Sequence, residues 1–253
     1  MWCNAKTAKT SATAFALTKS FQSNISYAQC EDALTKIQKH LSAGNTYQVN
    51  YSHCFSAPFE GDAFSAYLIL RQKNPSEFAA FLRLPFGDVL SFSPELLVRA
   101  SVNKLLTKPI KGTAARAFDE KKDKIIKKKL KTCPKNCAEN TMIVDLMRND
   151  LSRVAKIDSV HVDTFLEIEC LPSVFHLVST LSAKLANEFS YLDVLHAVLP
   201  GGSITGAPKY RTMQLIESLE HQARGVYCGS IGHLSTARNI CFNIAIRTIT
   251  AAS

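Results

Sequence analysis

Glu95-Leu96-Leu97-Val98-Arg99-Ala100-Ser101-Val102-Asn103-Lys104-Leu105-Leu106-Thr107-Lys108-Pro109-Ile110-Lys111 holds two apolar runs separated by a short connection. Leu96–Val98 and Leu105–Leu106 flank Ser101-Val102-Asn103, so the stretch predicts a β-hairpin over 96–110. With Ala100 opposite Lys104, Glu95 faces Pro109 and Lys111 lies one diagonal step beyond. Parity then puts Glu95 and Lys111 on one face, at the roughly 7–8 Å diagonal spacing of an antiparallel pair. Pro109 has no N–H to give a ladder, so the strand is at an edge or bulged there. Two readings stay open for the pair. It is a solvent-facing ion pair, or a lysine nucleophile beside a proton-transfer carboxylate.

Outward from the hairpin, strands and helices come in runs. Tyr27, Leu34, Ile37 and Leu41 predict a helix over 27–43 that Gly44-Asn45 ends. Residues 46–55 read as a strand with Tyr47, Val49 and Tyr51 on one face. A helix over 63–72 and strands over 78–84 and 89–92 precede the hairpin. After it come a helix over 138–149, short β-rich segments and a further helix up to Pro200. A Gly-rich loop, 201–207, opens a helix over 208–220. Strand-like segments over 226–234 and 240–249 close the sequence. Runs rather than strict alternation predict an α+β fold with antiparallel sheets. Residues 1–26, rich in Thr, Ser, Ala and Lys, read as a linker or the remnant of an N-terminal region, and 27–253 as the domain.

Composition narrows the class. A 253-residue chain with 46% hydrophobic residues can bury a core without disulfide staples. No apolar run approaches the roughly 20 residues that span a bilayer. Met1–Lys9 lacks the apolar stretch of a secretory signal, so the expected place is the cytoplasm and no membrane contact is expected. The eight cysteines form no CxxC pair, and Cys133 and Cys137 lack a second pair at zinc spacing; they read as reduced, incidental thiols. Much of the +9 charge sits in Lys121–Lys131. No aromatics interleave that run, and Ile125, Ile126 and Leu130 fall near helical spacing. It reads as a solvated helix face rather than a nucleic-acid site.

Two further signals are weaker alone. Glu139 shares a helix face with Ile143 and Leu146, where a carboxylate is either paired, metal-bound or a first-turn acid favoured by the helix dipole. Gly201-Gly202-Ser203-Ile204-Thr205-Gly206-Ala207-Pro208-Lys209 is a possible anion site at a helix start, or a plain turn; it is not a Walker A loop.

Taken together, GNTYQVNYS (44–52), SFSPELL (91–97), KPIKGTAAR (108–116), AENTMIVDLMRNDLSRVA (138–155), VFHLVST (174–180), PGGSITGAPKYRTMQLIESLE (200–220), GVYCGSIGHLS (225–235) and NIAIRT (243–248) resemble the chorismate-utilising enzymes. That family includes anthranilate, aminodeoxychorismate, isochorismate and salicylate synthases. The segments run in family order from about residue 27 onward. The resemblance implies an α+β sandwich of two facing antiparallel sheets with helices outside. The lysine of PIKGT resembles the aminodeoxychorismate synthases, where anthranilate synthases usually carry alanine. It implies amination of chorismate to 4-amino-4-deoxychorismate, with ammonia from a glutamine amidotransferase partner. Lys111 is then the nucleophile at C2 and Glu95 the proton shuttle. Glu139 matches a Mg²⁺ ligand, the metal holding the ring carboxylate. Arg247 and Tyr227 match residues on the enolpyruvyl carboxylate, and His176 and Thr205 match residues lining the ring. The 201–206 loop, with Gly202 and Gly206, matches the source of backbone donors. The family also implies a further strand and a helix with a second magnesium-binding glutamate beyond 253, so the domain reads as incomplete at its C-terminus, with apolar edge surface expected near Ile244 and Ile246. Rival readings are anthranilate synthase component I and a catalytically silent homologue.

Overall fold

A computed structural model of the protein describes residues 14–235 and 239–252. Two short strands, β1 (Ala16–Leu17) and β2 (Gln22–Ser23), precede helix α1 (Tyr27–Ser42). β3 (Gln48–Val49), β4 (Phe55–Ser56) and β5 (Phe59–Glu60) are equally short. Helix α2 (Ala63–Lys73) leads into β6 (Phe78–Leu84), β7 (Gly87–Ser93), β8 (Leu96–Ser101), β9 (Lys104–Lys108) and β10 (Ile110–Ala115). Helices α3 (Glu120–Thr132) and α4 (Pro134–Ser152) come next, then the long hairpin of β11 (His161–Cys170) and β12 (Val174–Lys184). Helix α5 (Tyr191–Val198), a 3-10 turn at Gly202–Ile204, β13 (Gly206–Ala207) and helix α6 (Lys209–Leu219) follow. β14 (Gly232–Ser235), β15 (Asn239–Asn243) and β16 (Thr248–Ala251) end the described chain.

The architecture is α+β and its ladders are antiparallel, as the runs of strands predict. In the large sheet β12 carries β11 on one edge and β10 and β9, end to end, on the other; β8, β15 and β14 continue from β9. β16, β7 and β6 form a smaller sheet. The main core lies between the large sheet (Leu97, Leu105, Leu181, Ile240) and the helices α4 (Ile143, Met147, Leu151) and α5 (Val194, Val198). The smaller sheet buries Leu90 and Phe92 against Ala63, Ala66 and Tyr67 of α2.

Two chain crossings between the sheets, side by side, set the site. Residues 93–96 pass from β7 to β8, and 243–248 pass from β15 to β16. Ser93 Oγ donates to the Ile244 carbonyl at 2.6 Å, Ile244 N donates to Glu95 O at 3.0 Å, and Phe92 N donates to Arg247 O at 3.1 Å. These bonds break the strand expected over 240–249 at Asn243. They also turn Ile244, 4% exposed, and Ile246 into the main core, so the apolar edge expected there is absent among the described residues.

The hairpin forms, with a register that differs at its tip. Ser101 pairs with Lys104 and Ala100 with Leu105, around a two-residue turn at Val102-Asn103. A β-bulge between Leu96 and Arg99 absorbs the extra residue, and Leu96 lies opposite Lys108 as the expected register requires. Pro109 separates β9 from β10, which is the interruption its missing N–H demands. Val102 sits at φ 56°, a left-handed conformation that a β-branched side chain resists. Val102 is exposed, so little packing opposes a change there. Val102→Gly should therefore raise stability by about 1 kcal/mol, read as an upward shift in thermal midpoint; a downward shift would show that the strain is not there.

Other elements show where periodicity alone misleads. α1 starts on a capping box between Ser26 and Gln29, yet it buries Ala33 and Ile37 and exposes Tyr27, Leu34 and Leu41. The strand expected over 46–55 reduces to β3 and β4, because their partners β13 and β2 are two residues long. α3 carries the lysine run as a solvated face; Ile126 and Leu130 pack on Phe175 and Leu177, while Ile125 stays exposed. The seven described cysteines are free thiols, and Cys3 lies outside the described residues. Among the described residues no helix is long and apolar enough to cross a membrane.

Candidate active site

Glu95 stands at the β7–β8 crossing, just after Pro94, and is only 3% exposed. Its Oε1 accepts a hydrogen bond from Ile110 N at 3.3 Å. Burial disfavours the charged carboxylate and pushes its pKa up to about 7; the Ser203 hydroxyl, the Ile110 N–H and Lys111 oppose that rise without cancelling it.

Lys111 is the second residue of β10, inside a register shift between Ile110 and Thr113 that turns it off the regular ladder to β12. Its Nζ donates to the Ser203 carbonyl at 2.7 Å. Burial holds its pKa below the usual lysine range, against the opposing pull of Glu95 and Glu139. A half-buried amine leaning toward its free form thus lies within electrostatic reach of a buried acid leaning toward its protonated form. The two residues act on each other electrostatically, although the hairpin ladder ends at Leu96–Lys108 and Lys111 lies past Pro109 on β10, which pairs with β12.

The Gly-rich loop holds Ser203 from both sides. A Cβ on Gly202 would lie 2.5 Å from Leu146 Cδ2, and one on Gly206, at φ 138°, would lie 2.0 Å from the Gln48 carbonyl. The space left by these two glycines is filled by protein neighbours, not held open for a ligand. Thr205 Oγ1 donates to the Gly201 carbonyl at 3.0 Å. A buried ion pair, Lys209 Nζ to Asp150 Oδ2 at 2.5 Å, fastens the end of the loop to α4.

The remaining expected residues form two groups. Thr205 and Tyr227 line a cavity of about 580 Å³ with Ile204, Glu220 and Arg224. Arg224 knits that wall: it donates to Glu220, to the Ile204 carbonyl at 2.7 Å and to the Asn50 carbonyl at 2.5 Å. Burial raises the Tyr227 pKa, so its hydroxyl is a neutral donor at physiological pH. His176 and Arg247 line a second cavity of about 230 Å³, which also contains the Lys108–Glu169 ion pair at 3.0 Å. His176 is 1% exposed and its Nε2 has no hydrogen-bond partner. Burial, and then Arg247, hold the imidazole below its usual pKa, so it is neutral at pH 7.

Glu139 lies on α4, close enough to Lys111 to favour its charged form, and its carboxylate is 3.9 Å from Lys135 Nζ. Among the described residues no cluster of three or more His, Cys, Asp or Glu could hold a metal ion. Mg²⁺ takes oxygen ligands in near-octahedral geometry, often one or two carboxylates with substrate oxygens and water. One carboxylate facing two lysines does not fit a self-contained magnesium site, and no chemical step below runs through a metal.

Sequence reasoning missed three features of the site. Ser203 acts through its carbonyl, which no residue type announces. The Arg224–Glu220 clamp and the Lys108–Glu169 pair look in sequence like ordinary surface charges.

Residues 2–253 match the family model for chorismate binding enzymes. Aminodeoxychorismate synthase component 1 of Klebsiella aerogenes is 45% identical over 250 residues, covering 99% of this chain and 55% of that protein. The protein of that name from Escherichia coli (strain K12) is 46% identical over 237 residues, covering 94% and 52%. Among solved structures, anthranilate synthase component I from Streptococcus pneumoniae TIGR4 superposes with a TM-score of 0.84 at 35% identity, covering 91% of this chain and 51% of that one. The chain spans about half the length of these relatives. On the family match and the shared fold, this chain belongs to the chorismate-binding enzymes.

Proposed function

We propose that this chain carries the chorismate-aminating chemistry of an aminodeoxychorismate synthase, making 4-amino-4-deoxychorismate on the route to 4-aminobenzoate and folate. Ammonia would reach it from a glutamine amidotransferase partner, in the cytoplasm. The observation that carries the reading is the juxtaposition of half-buried Lys111 with buried Glu95, one held below its usual pKa and the other at about 7. Burial pushes the two pKa values toward each other, which favours a free amine beside a protonated acid. The relatives that bear the aminodeoxychorismate synthase name support it.

The chemistry then divides into two displacements. The free amine of Lys111 bonds to C2 of chorismate while the C4–O bond breaks, and Glu95 in its acid form gives its proton to the departing hydroxyl, which leaves as water. Ammonia next bonds to C4 as the C2–N bond to Lys111 breaks, and the proton shed by the new amine returns to the Glu95 carboxylate. The net change is chorismate plus ammonia to aminated product plus water. His176 and Arg247 on one cavity, and Thr205 and Tyr227 on the other, would orient the substrate; the Arg247 guanidinium suits a carboxylate.

An anthranilate synthase reading has one specific support, a relative of that name in Aquifex aeolicus at 40% identity over 230 residues. Product analysis separates the two. With chorismate and ammonium, the aminating reading expects no aromatic product until the lyase is added, and then 4-aminobenzoate. Anthranilate formed without the lyase would overturn it, and so would the absence of any chorismate consumption.

A further inference from the structure

Ser203 interacts with both reacting groups. It is 6% exposed, in the 3-10 turn Gly202–Ile204. Its carbonyl accepts from Lys111 Nζ at 2.7 Å, and its hydroxyl lies against the Glu95 carboxyl. That hydroxyl is fully buried yet has no well-aligned hydrogen-bond partner. A buried unpaired hydroxyl is an exception in folded proteins, where nearly all such groups are paired. Here its neighbour is a carboxyl group that can be an acid or an anion. Protonated, Glu95 offers a poorer acceptor; ionised, it becomes the acceptor the hydroxyl lacks.

We propose that Ser203 is a positioning residue for the first displacement: its hydroxyl stabilises the Glu95 carboxylate as Glu95 gives up its proton, while its carbonyl holds Lys111 in place for attack. The inference rests on the chorismate-amination reading. A hydrogen bond that strengthens as charge develops lowers the barrier without tightening substrate binding. It therefore acts on kcat more than on KM. The turn is well placed for this. Leu146 of α4 fills the space beside Gly202, and the Lys209–Asp150 pair anchors the loop's far end, so Ser203 is held on both sides. The charged group facing Glu95 is Lys111 of β10, and Glu139 of α4 faces Lys111 in turn.

Ser203→Ala keeps the carbonyl and removes the hydroxyl. It should lower kcat by roughly 10- to 100-fold and leave KM for chorismate within about threefold, while Ser203→Thr should recover most of the rate. A purely structural role would give losses that a hydroxyl does not rescue. A second readout needs no turnover: the Glu95 carboxyl, followed by NMR in protein labelled with ¹³C-glutamate and assigned with Glu95→Gln. Removing a donor to the charged form should move its titration to higher pH in Ser203→Ala and not in Ser203→Thr. An unmoved titration, with equal rates in the alanine and threonine variants, overturns the proposal. Should the wild type make no aminated product while the titration still moves, the function reading fails and the Ser203–Glu95 link stands. If Ser203→Ala does not fold, Ser203→Cys, a weaker donor of similar size, should show the same direction of change in smaller degree.

Discussion

Lys111→Ala should lose chorismate amination by on the order of 10³-fold or more, with either glutamine or ammonium as nitrogen source, and remain folded. The side chain holds up no core layer: Lys111 is only part-buried, and its one hydrogen bond goes to a carbonyl. Its loss removes the amine that would split the displacement in two. Mass spectrometry gives the second test. Wild type incubated with chorismate but no ammonia should carry a species heavier by chorismate less one water, and Lys111→Ala should not. An unchanged rate in the variant would remove the nucleophile from the mechanism whatever the adduct shows. Stability supplies a check independent of catalysis. The folded state holds the Lys111 pKa below its unfolded value, so burial penalises folding while the amine is charged, and the penalty fades as pH rises toward 10.5. Lys111→Met, which keeps the stem's volume, should be at least as stable as wild type at pH 7, with an advantage that shrinks on the way to pH 10.

How much of this was legible in the sequence depends on the range over which each residue is determined. The helix over 27–43, its end at Gly44-Asn45 and the strands over 78–84 and 89–92 follow from neighbours in the chain, and they form within a few residues of those bounds. The face of α1 was not legible, because Leu34 and Leu41 obey helical spacing yet stay exposed, while Ala33 and Ile37 are buried. The tip of the β8–β9 hairpin was misread by one residue because a bulge leaves no mark in the alternation of Leu96–Val98 and Leu105–Leu106. Glu95 still reaches β10, accepting from Ile110 N, but β10 takes its ladder from β12 and not from β8, which the hairpin pattern alone does not reveal. Lys111 and Ser203 meet across 92 residues through a backbone oxygen, so the residue type at 203 could not announce the contact. His176, Arg247, Thr205 and Tyr227 were reached through resemblance to a family; spacing alone gave no reason to pair them as the two cavities do.

Glu95→Gln should be more stable than wild type above pH 7 and nearly inactive throughout. The sign follows from the pKa. Burial raises it from 4.5 to about 7, so the folded protein binds a proton that the unfolded chain has already lost between those values. Wild-type stability from this group is full below about pH 4.5, declines through the interval and is lost above about pH 7. A rise of that size corresponds to about 3 kcal/mol at its limit. The amide of the variant would carry no charge to desolvate and would keep an oxygen for the Ile110 N–H. Denaturant unfolding at pH 5 and at pH 8 reads the difference: the variant should gain on wild type by up to about 3 kcal/mol at the higher pH and by little at the lower. A gain of equal size at both would mean that burial leaves the carboxyl titrating where the unfolded chain does. Activity should move the other way, by about 10²- to 10⁴-fold, because an amide can neither give nor take the proton. A side chain that destabilises the fold when ionised, and whose loss stops the reaction, is one the fold keeps for its chemistry. The two measurements together separate Glu95 as a proton donor from Glu95 as a packing element, since only the donor makes the variant both steadier and inert.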